Sequence, residues 1–299
     1  MLAKLEGYAA ARLGSLDATA LATVSRELSS LEQTVLGRAD LRAVLTDTSI
    51  ASASRGLILH DLLAGKIHEV TLQVAVYATS RAPAQEVPHS LAELAIAARE
   101  LSENGTFPLA GLGLLASRQR IAGYADALLD DIDAQNFDEI EDELFRWART
   151  VEGNLELRRV LLDRDSDLES RLGTVQALLG EKVDAVTLAL ARFVIAGGRA
   201  RDVVGTLDYL VDYVARARDW RVARVHTARP LDEQSRADLV ASLSSLTGKN
   251  VELQVAVSPE LLGGVLVEIG DLRLDATTRA RLSALRDAVS PGHLYESRL

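Results

Sequence analysis

GYAAARLGSLDA, residues 7–18, and GYADALLDDIDA, residues 123–134, are two versions of one segment, and the register between them extends well beyond either. At the offset of 116 residues that carries Gly7 onto Gly123, Glu27-Leu28 falls on Glu143-Leu144 and Thr34-Val35 on Thr150-Val151. LRAVLTD from Leu41 falls on LRRVLLD from Leu157, Ser54-Arg55 on Ser170-Arg171, Leu62-Leu63 on Leu178-Leu179, Lys66 on Lys182, and Val70-Thr71-Leu72 on Val186-Thr187-Leu188. One ungapped register through so many matches is a duplication, and a fixed period sets the architecture before any local pattern does.

Within each copy the apolar residues recur at three- and four-residue spacing, the period of an amphipathic helix. In the second copy this predicts helices near 117–132, 136–151, 154–162, 166–179, 183–197 and 200–219. Gly153, Gly180 and Gly197-Gly198 punctuate them, as residues that end helices do. The Asn-Gly and Phe-Pro steps of SENGTFPLAG mark a linker. After Trp220 the pattern alternates: a strand in RVARVHTA, a helix over 232–247, a strand in VELQVAV, a turn and one or two more strands in LLGGVLVEIGDLRLD, and a last helix from Thr277 to Val289. The expected fold is mostly α, two tandem six-helix bundles (1–104 and 117–220, joined by a linker at 105–116) followed by a small α+β C-terminal domain at 221–299.

At 299 residues the chain is long enough for more than one core. With 48% hydrophobic residues but only 4% aromatic, that core is built from Leu, Ala and Val, the usual filling of helix grooves. The net charge of −10 argues against a nucleic-acid partner, which would require clustered Lys and Arg. That charge is carried by the helices: residues 221–299 hold ten basic and ten acidic residues, while Ser117–Trp220 holds 14 basic and 21 acidic. The absence of cysteine excludes a disulfide framework, a thiol nucleophile and a thiolate metal site. Nowhere do 18 apolar residues run together, and MLAKLEGYAAARLG has no long apolar stretch, so neither direct membrane insertion nor a secretion signal is expected.

No chemistry-bearing motif stands in its proper context. Gly111, Gly113 and Ala116 fit a GxGxxA fingerprint, but what precedes them is a proline-containing linker where dinucleotide binding needs a β-strand. Gly65-Lys66 and Gly248-Lys249 are followed by neither Ser nor Thr, so there is no phosphate-binding loop. His60, His68, His89, His226 and His293 form no pair at metal-ligand spacing, and the acidic run from Asp130 to Glu143 lacks the spaced calcium-loop pattern. It reads as a solvated face at two helix starts, where acids suit the helix dipole. Catalytic residues, metal and cofactor are all expected to be none.

The second copy and the C-terminal domain together resemble the δ subunit of bacterial F-type ATP synthases, related to the mitochondrial oligomycin-sensitivity-conferring protein. The resemblance covers residues from about 118 to 290. It is carried by RIAGYADALLD, LRRVLLD and KVDAVTLALARFVIAGGRARDV, then by VHTARPLDE and LTGKNVELQVAVSPELLGGVLVEIGDLRLDATTRARLSAL. The extra helical copy in front is similar to δ chains of actinobacteria, some of which are fused to a b-type membrane segment. Without such a segment, attachment would come from separate b chains.

The resemblance implies a non-catalytic stator subunit, peripheral on the cytoplasmic face of the plasma membrane. Its helical domain would hold N-terminal segments of α subunits, its C-terminal domain would hold the end of the b stalk, and the whole would resist rotor torque. For the α chain, the expected groove lies between the first and fifth helices of the second copy, with Tyr124, Ala125 and Leu128 on one wall and Leu188, Ala189 and Arg192 on the other. For the b chain, the expected contacts are Leu261, Leu262, Gly263 and Gly264 in the SPELLGG turn and Leu282 and Leu285 on the last helix, although Gly263-Gly264 also suits a tight turn and the leucines also suit the domain's own core. The rival readings are an unrelated helical adaptor and a dinucleotide-binding enzyme using the Gly111 linker.

Overall fold

The computed structural model describes residues 1–109, 111–133, 136–163, 166–219, 222–247, 251–258, 260–261, 263–269, 272–280 and 282. The first copy folds into α1 (Ala3–Gly14), α2 (Ala18–Gly37), α3 (Ala39–Leu45), α4 (Ser52–Leu63), α5 (Glu69–Arg81) and α6 (Val87–Asn104). The second repeats the order as α7 (Leu114–Leu129), α8 (Phe137–Gly153), α9 (Leu155–Leu162), α10 (Leu168–Leu179), α11 (Ala185–Gly197) and α12 (Val203–Asp219). Shifted by 116, the bounds of α4 and α5 coincide with those of α10 and α11. So do those of the 3-10 turns Ala84–Glu86 and Ala200–Asp202. α7 begins at Leu114 rather than near 117, because Leu114-Leu115-Ala116 are good helix formers and Gly113 supplies the extended residue before them, and α12 begins at Val203 rather than near 200, behind the 3-10 turn.

The duplication also preserves part of the local chemistry that starts these helices. Some caps belong to one copy alone: Asp167 accepts from Ser170 N at the head of α10 (2.7 Å), where α4 has the uncapping Ala51. His68 caps α5 and Asp184, at the same place in the other copy, caps α11. In both, a buried or half-buried glutamate reaches across from the second helix to the capping residue's own N–H. Glu27 accepts from His68 N at 3.0 Å, and Glu143 from Asp184 N at 3.0 Å. Ring pairs repeat as well: Tyr8 stacks on Tyr77 and Tyr124 on Phe193, each with centroids 3.7 Å apart.

By backbone contact the chain divides into two compact units, 1–132 with 138–213, and 133–137 with 214–299, so both helical copies belong to the first. They are joined through their first helices. A Cβ on Gly7 would sit 1.8 Å from the Arg120 carbonyl oxygen, and a Cβ on Gly123 would sit 1.8 Å from that of Lys4. Only glycine allows backbones this close. Positions 7 and 4 of one copy correspond to 123 and 120 of the other, so α1 and α7 meet through the same surface of each. The main core, with Leu5, Leu13, Leu28, Leu59, Leu91 and Leu94, also takes in Ala127 from α7.

The C-terminal unit contains β1 (Val222–Thr227), α13 (Glu233–Thr247), β2 (Glu252–Val257), β3 (Val265–Ile269) and β4 (Leu272–Asp275). The strand order is β2-β1-β3-β4. β1 and β2 run parallel, and α13 links them in sequence, as a parallel pair requires. β3 is antiparallel to both β1 and β4. Ala223, Val225, Leu243, Leu253, Val267 and Ile269 make its core. Most of the helix expected over 277–289 lies outside the described residues; its start is set by Thr277, whose hydroxyl accepts from Ala280 N at 3.2 Å. Among the described residues no helix is long and apolar enough to cross a membrane.

Candidate docking surfaces

An open hollow of about 430 Å³ lies on the second copy, lined by Tyr124, Leu172, Leu188, Ala189, Arg192 and Phe193 among others. Its walls are α10 and α11, and α7 supplies Tyr124. Arg192 donates to Gln176 Oε1 across the two helices at 2.9 Å, closing one end with a cation. Burial pushes the Tyr124 phenol up from its ordinary pKa, with Arg192 opposing. An apolar floor with one charged rim group is the kind of surface that accepts the side chains of an amphipathic helix.

Four of the six residues expected for the α-chain groove therefore share this surface: Tyr124, Leu188, Ala189 and Arg192. The other two do not. Ala125 is 0% exposed, and Leu128 is half-buried and outside the lining. The reason is that α7 is not a free first helix. It is pressed on α1, so its buried arc is wider than that of a helix with one inward face, and α10 takes its place as a wall.

The same place in the first copy is built differently. Gly56 stands where the second copy has Leu172, and a Cβ there would lie 3.0 Å from Ser80 Cβ and 3.4 Å from the Val76 carbonyl oxygen. The helix α4 thus rests directly on α5, whereas a leucine holds α10 off α11. The first copy has its own hollow elsewhere, about 550 Å³ between α2, α3 and α4, lined by Leu31, Val44, Ile58 and Leu62 among others. Leu31 corresponds to Trp147, which is buried in the second copy. The signal for this hollow was present in the repeat alignment as a tryptophan replaced by a leucine.

In the C-terminal unit, Leu261 is half-buried, and its N–H donates to the Ser258 carbonyl at 3.0 Å in a turn. Gly263 and Gly264 have φ of 153° and 81°, and a Cβ on Gly264 would lie 2.3 Å from the Ala276 carbonyl oxygen. The glycine pair is required by the turn itself. Leu282 is 56% exposed. Leu262 and Leu285 lie outside the described residues.

The motifs set aside above have other roles. Gly113 starts a helix, but residues 106–109 before it form no strand. Of the acidic run, Asp131 pairs with Arg12 at 2.5 Å and Glu143 anchors α11. Among the described residues no group of three or more His, Asp or Glu could hold a metal ion.

A family model described as ATP synthase delta (OSCP) subunit matches residues 121–289. The chain is similar to ATP synthase subunit delta of Salinispora arenicola, 31% identical over 272 residues that cover 91% of this chain and 90% of the relative. It is 33% identical to that of a Parafrankia species over 266 residues, covering 88% of this chain and 85% of the relative. With that of Nocardia farcinica the identity is 31% over 281 residues, covering 94% of each. The family model stops short of the first copy, but the relatives span it.

Proposed function

The chain belongs to the ATP synthase delta (OSCP) subunit family, and from that premise we propose that it ties the catalytic head, through α-chain N-terminal segments, to the b stalk. It is a structural, peripheral-stalk component of an F-type ATP synthase. The finer assignment rests on one observation: the open hollow at Tyr124, Leu188, Ala189 and Arg192 falls inside the stretch that matches the family. An amphipathic helix laid along α10 and α11 would place apolar side chains on Leu188 and Ala189 and an acidic one near Arg192. In the same reading the b chain meets the C-terminal unit at Leu261, Leu262, the Gly263-Gly264 turn, Leu282 and Leu285. That contact is apolar, because the ten basic and ten acidic residues of 221–299 cancel. Such a chain is held at both ends and transmits force without doing chemistry. It sits on the cytoplasmic face of the membrane, attached through its partners.

The test is Leu188→Asp with Ala189→Asp in the full chain, titrated with a peptide of the α-chain N-terminus. A buried anchor of this kind is worth about 2 kcal/mol or more, so affinity falls at least tenfold while the circular dichroism spectrum is unchanged. Unchanged affinity in the folded variant refutes the assignment.

A further inference from the structure

The first copy has no role that the family assignment supplies, and its counterpart of the second copy's hollow is closed where Gly56 lets α4 rest on α5. What it does hold is the second copy. We propose that the first helical copy is an intramolecular clamp: it grips α7 as other helix bundles grip a ligand helix, so that the two copies stay one body even when the peptide linking them is cut.

Three sets of contacts carry this. The Gly7 and Gly123 backbones meet at the crossing, where a side chain on either would clash with the opposing carbonyl. Beside them Arg120 pairs with Glu6 at 3.1 Å, the two side chains being 4% and 5% exposed, and Arg120 also donates to the Gly197 carbonyl at 2.9 Å. On the other side is Asp126, 5% exposed, whose carboxylate takes Lys4 at 3.0 Å from α1, the Tyr77 hydroxyl at 2.7 Å from α5 and the Tyr213 hydroxyl at 2.5 Å from α12. Two of these three partners belong to the first copy and one to the second.

Separation would leave Asp126 the Tyr213 hydroxyl and Arg120 the Gly197 carbonyl but take Lys4 from the one and Glu6 from the other, and a buried charge that loses its ion-pair partner is strongly disfavoured. It would also bare Gly123 and Ala127, the latter seated in the first copy's core. The connecting peptide offers little by comparison, since residues 106–109 and 111–113 form no regular structure.

A protease recognition sequence inserted after Gly111 in the full chain tests this. After complete cleavage the two fragments are expected to co-elute in gel filtration at the volume of the uncut protein, at micromolar concentration and moderate salt. Fragments that separate under those conditions overturn the proposal. Asp126→Asn keeps the shape and removes the charge; cut in the same way, it should hold its fragments at least tenfold more weakly, and Glu6→Gln should do likewise. If both cut variants hold as tightly as the cut parent, the clamp does not work through these residues and the proposal fails.

Discussion

Replacing Glu6 by leucine should cost more than replacing Glu6 and Arg120 together. The two groups form a buried pair 3.1 Å apart, and Arg120 has a second acceptor in the Gly197 carbonyl. Glu6→Leu alone leaves a buried guanidinium in the joint without this carboxylate, and losing one member of a buried pair costs about 3–5 kcal/mol. Arg120→Met alone leaves a buried carboxylate and frees the Gly197 carbonyl, a loss of similar size or larger. In the double variant neither charge remains, so what is lost is the bond to Gly197, about 1–3 kcal/mol. The coupling is then at least about 3 kcal/mol in favour of the double variant, out of a total stability of roughly 5–15 kcal/mol. For a unit of this size 1 kcal/mol moves Tm by about 2–4 °C, so the single variants fall by about 6–20 °C and the double by less. Urea and thermal unfolding followed by the fluorescence of the buried Trp147 give the four corners of the cycle. Additive effects, with the double variant as unstable as the sum of the singles, refute the view that the ion pair is an uncompensated-charge hazard rather than an ordinary contact.

Burial above all raises the phenols of Tyr8, Tyr77, Tyr124 and Tyr213, and Asp130 adds to this at Tyr8 as Asp126 does at Tyr77 and Tyr213. Groups with a raised folded pKa stabilise the fold fully below their unfolded value near 10, and that stability is lost as pH climbs beyond it. Ultraviolet titration should therefore show Tyr8, Tyr77 and Tyr213 ionising only with alkaline unfolding and Tyr124 above its ordinary range; normal titration of the first three near pH 10 in the folded state would count against the network. Gly264→Val puts a Cβ 2.3 Å from the Ala276 oxygen at φ 81°, and should destabilise the C-terminal unit by about 2–4 kcal/mol in denaturant titration. Leu261→Asp should weaken b-chain binding at low and high salt alike, since an apolar contact is little screened; parent binding that collapses with salt would show an electrostatic one.

The sequence alone revealed most of the secondary structure, because the helices of the repeat carry an apolar stripe of helical period and some of them a start signal as well. Asp17, Asn154 and Asp167 could be read as caps from their type and place. The Gly263-Gly264 turn was legible for the same local reason. What a stripe does not tell is which neighbour it meets. α7 is apolar or small on two faces, through Ile121, Ala122, Ala125 and Leu129, and only the fold shows that one of these faces lies on α1. Hence Ala125, expected on a groove wall, is buried, while Leu172, which spreads α10 from α11, looks in the sequence like any other apolar stripe residue. Lys4, Glu6, Arg120 and Asp126 lie far apart in sequence, and no spacing rule joins them.

The contact between α1 and α7 maps onto itself when one copy is exchanged for the other, which makes it an isologous interface inside a single chain. A one-copy protein bearing the same surface would be obliged to dimerise through it, with an occupancy set by its concentration. Tethering through 105–113 replaces that dependence with an effective concentration in the millimolar range, so the pairing is effectively always formed. It also releases the halves from having to match. Glu6 meets Arg120 on one side of the axis, while the exchanged positions hold Ala122 and Lys4, and the position equivalent to Asp126 in the other half is Ala10. The fused chain can thus keep an open hollow at Leu172 on one half and a closed helix contact at Gly56 on the other, a difference that two identical subunits could never make.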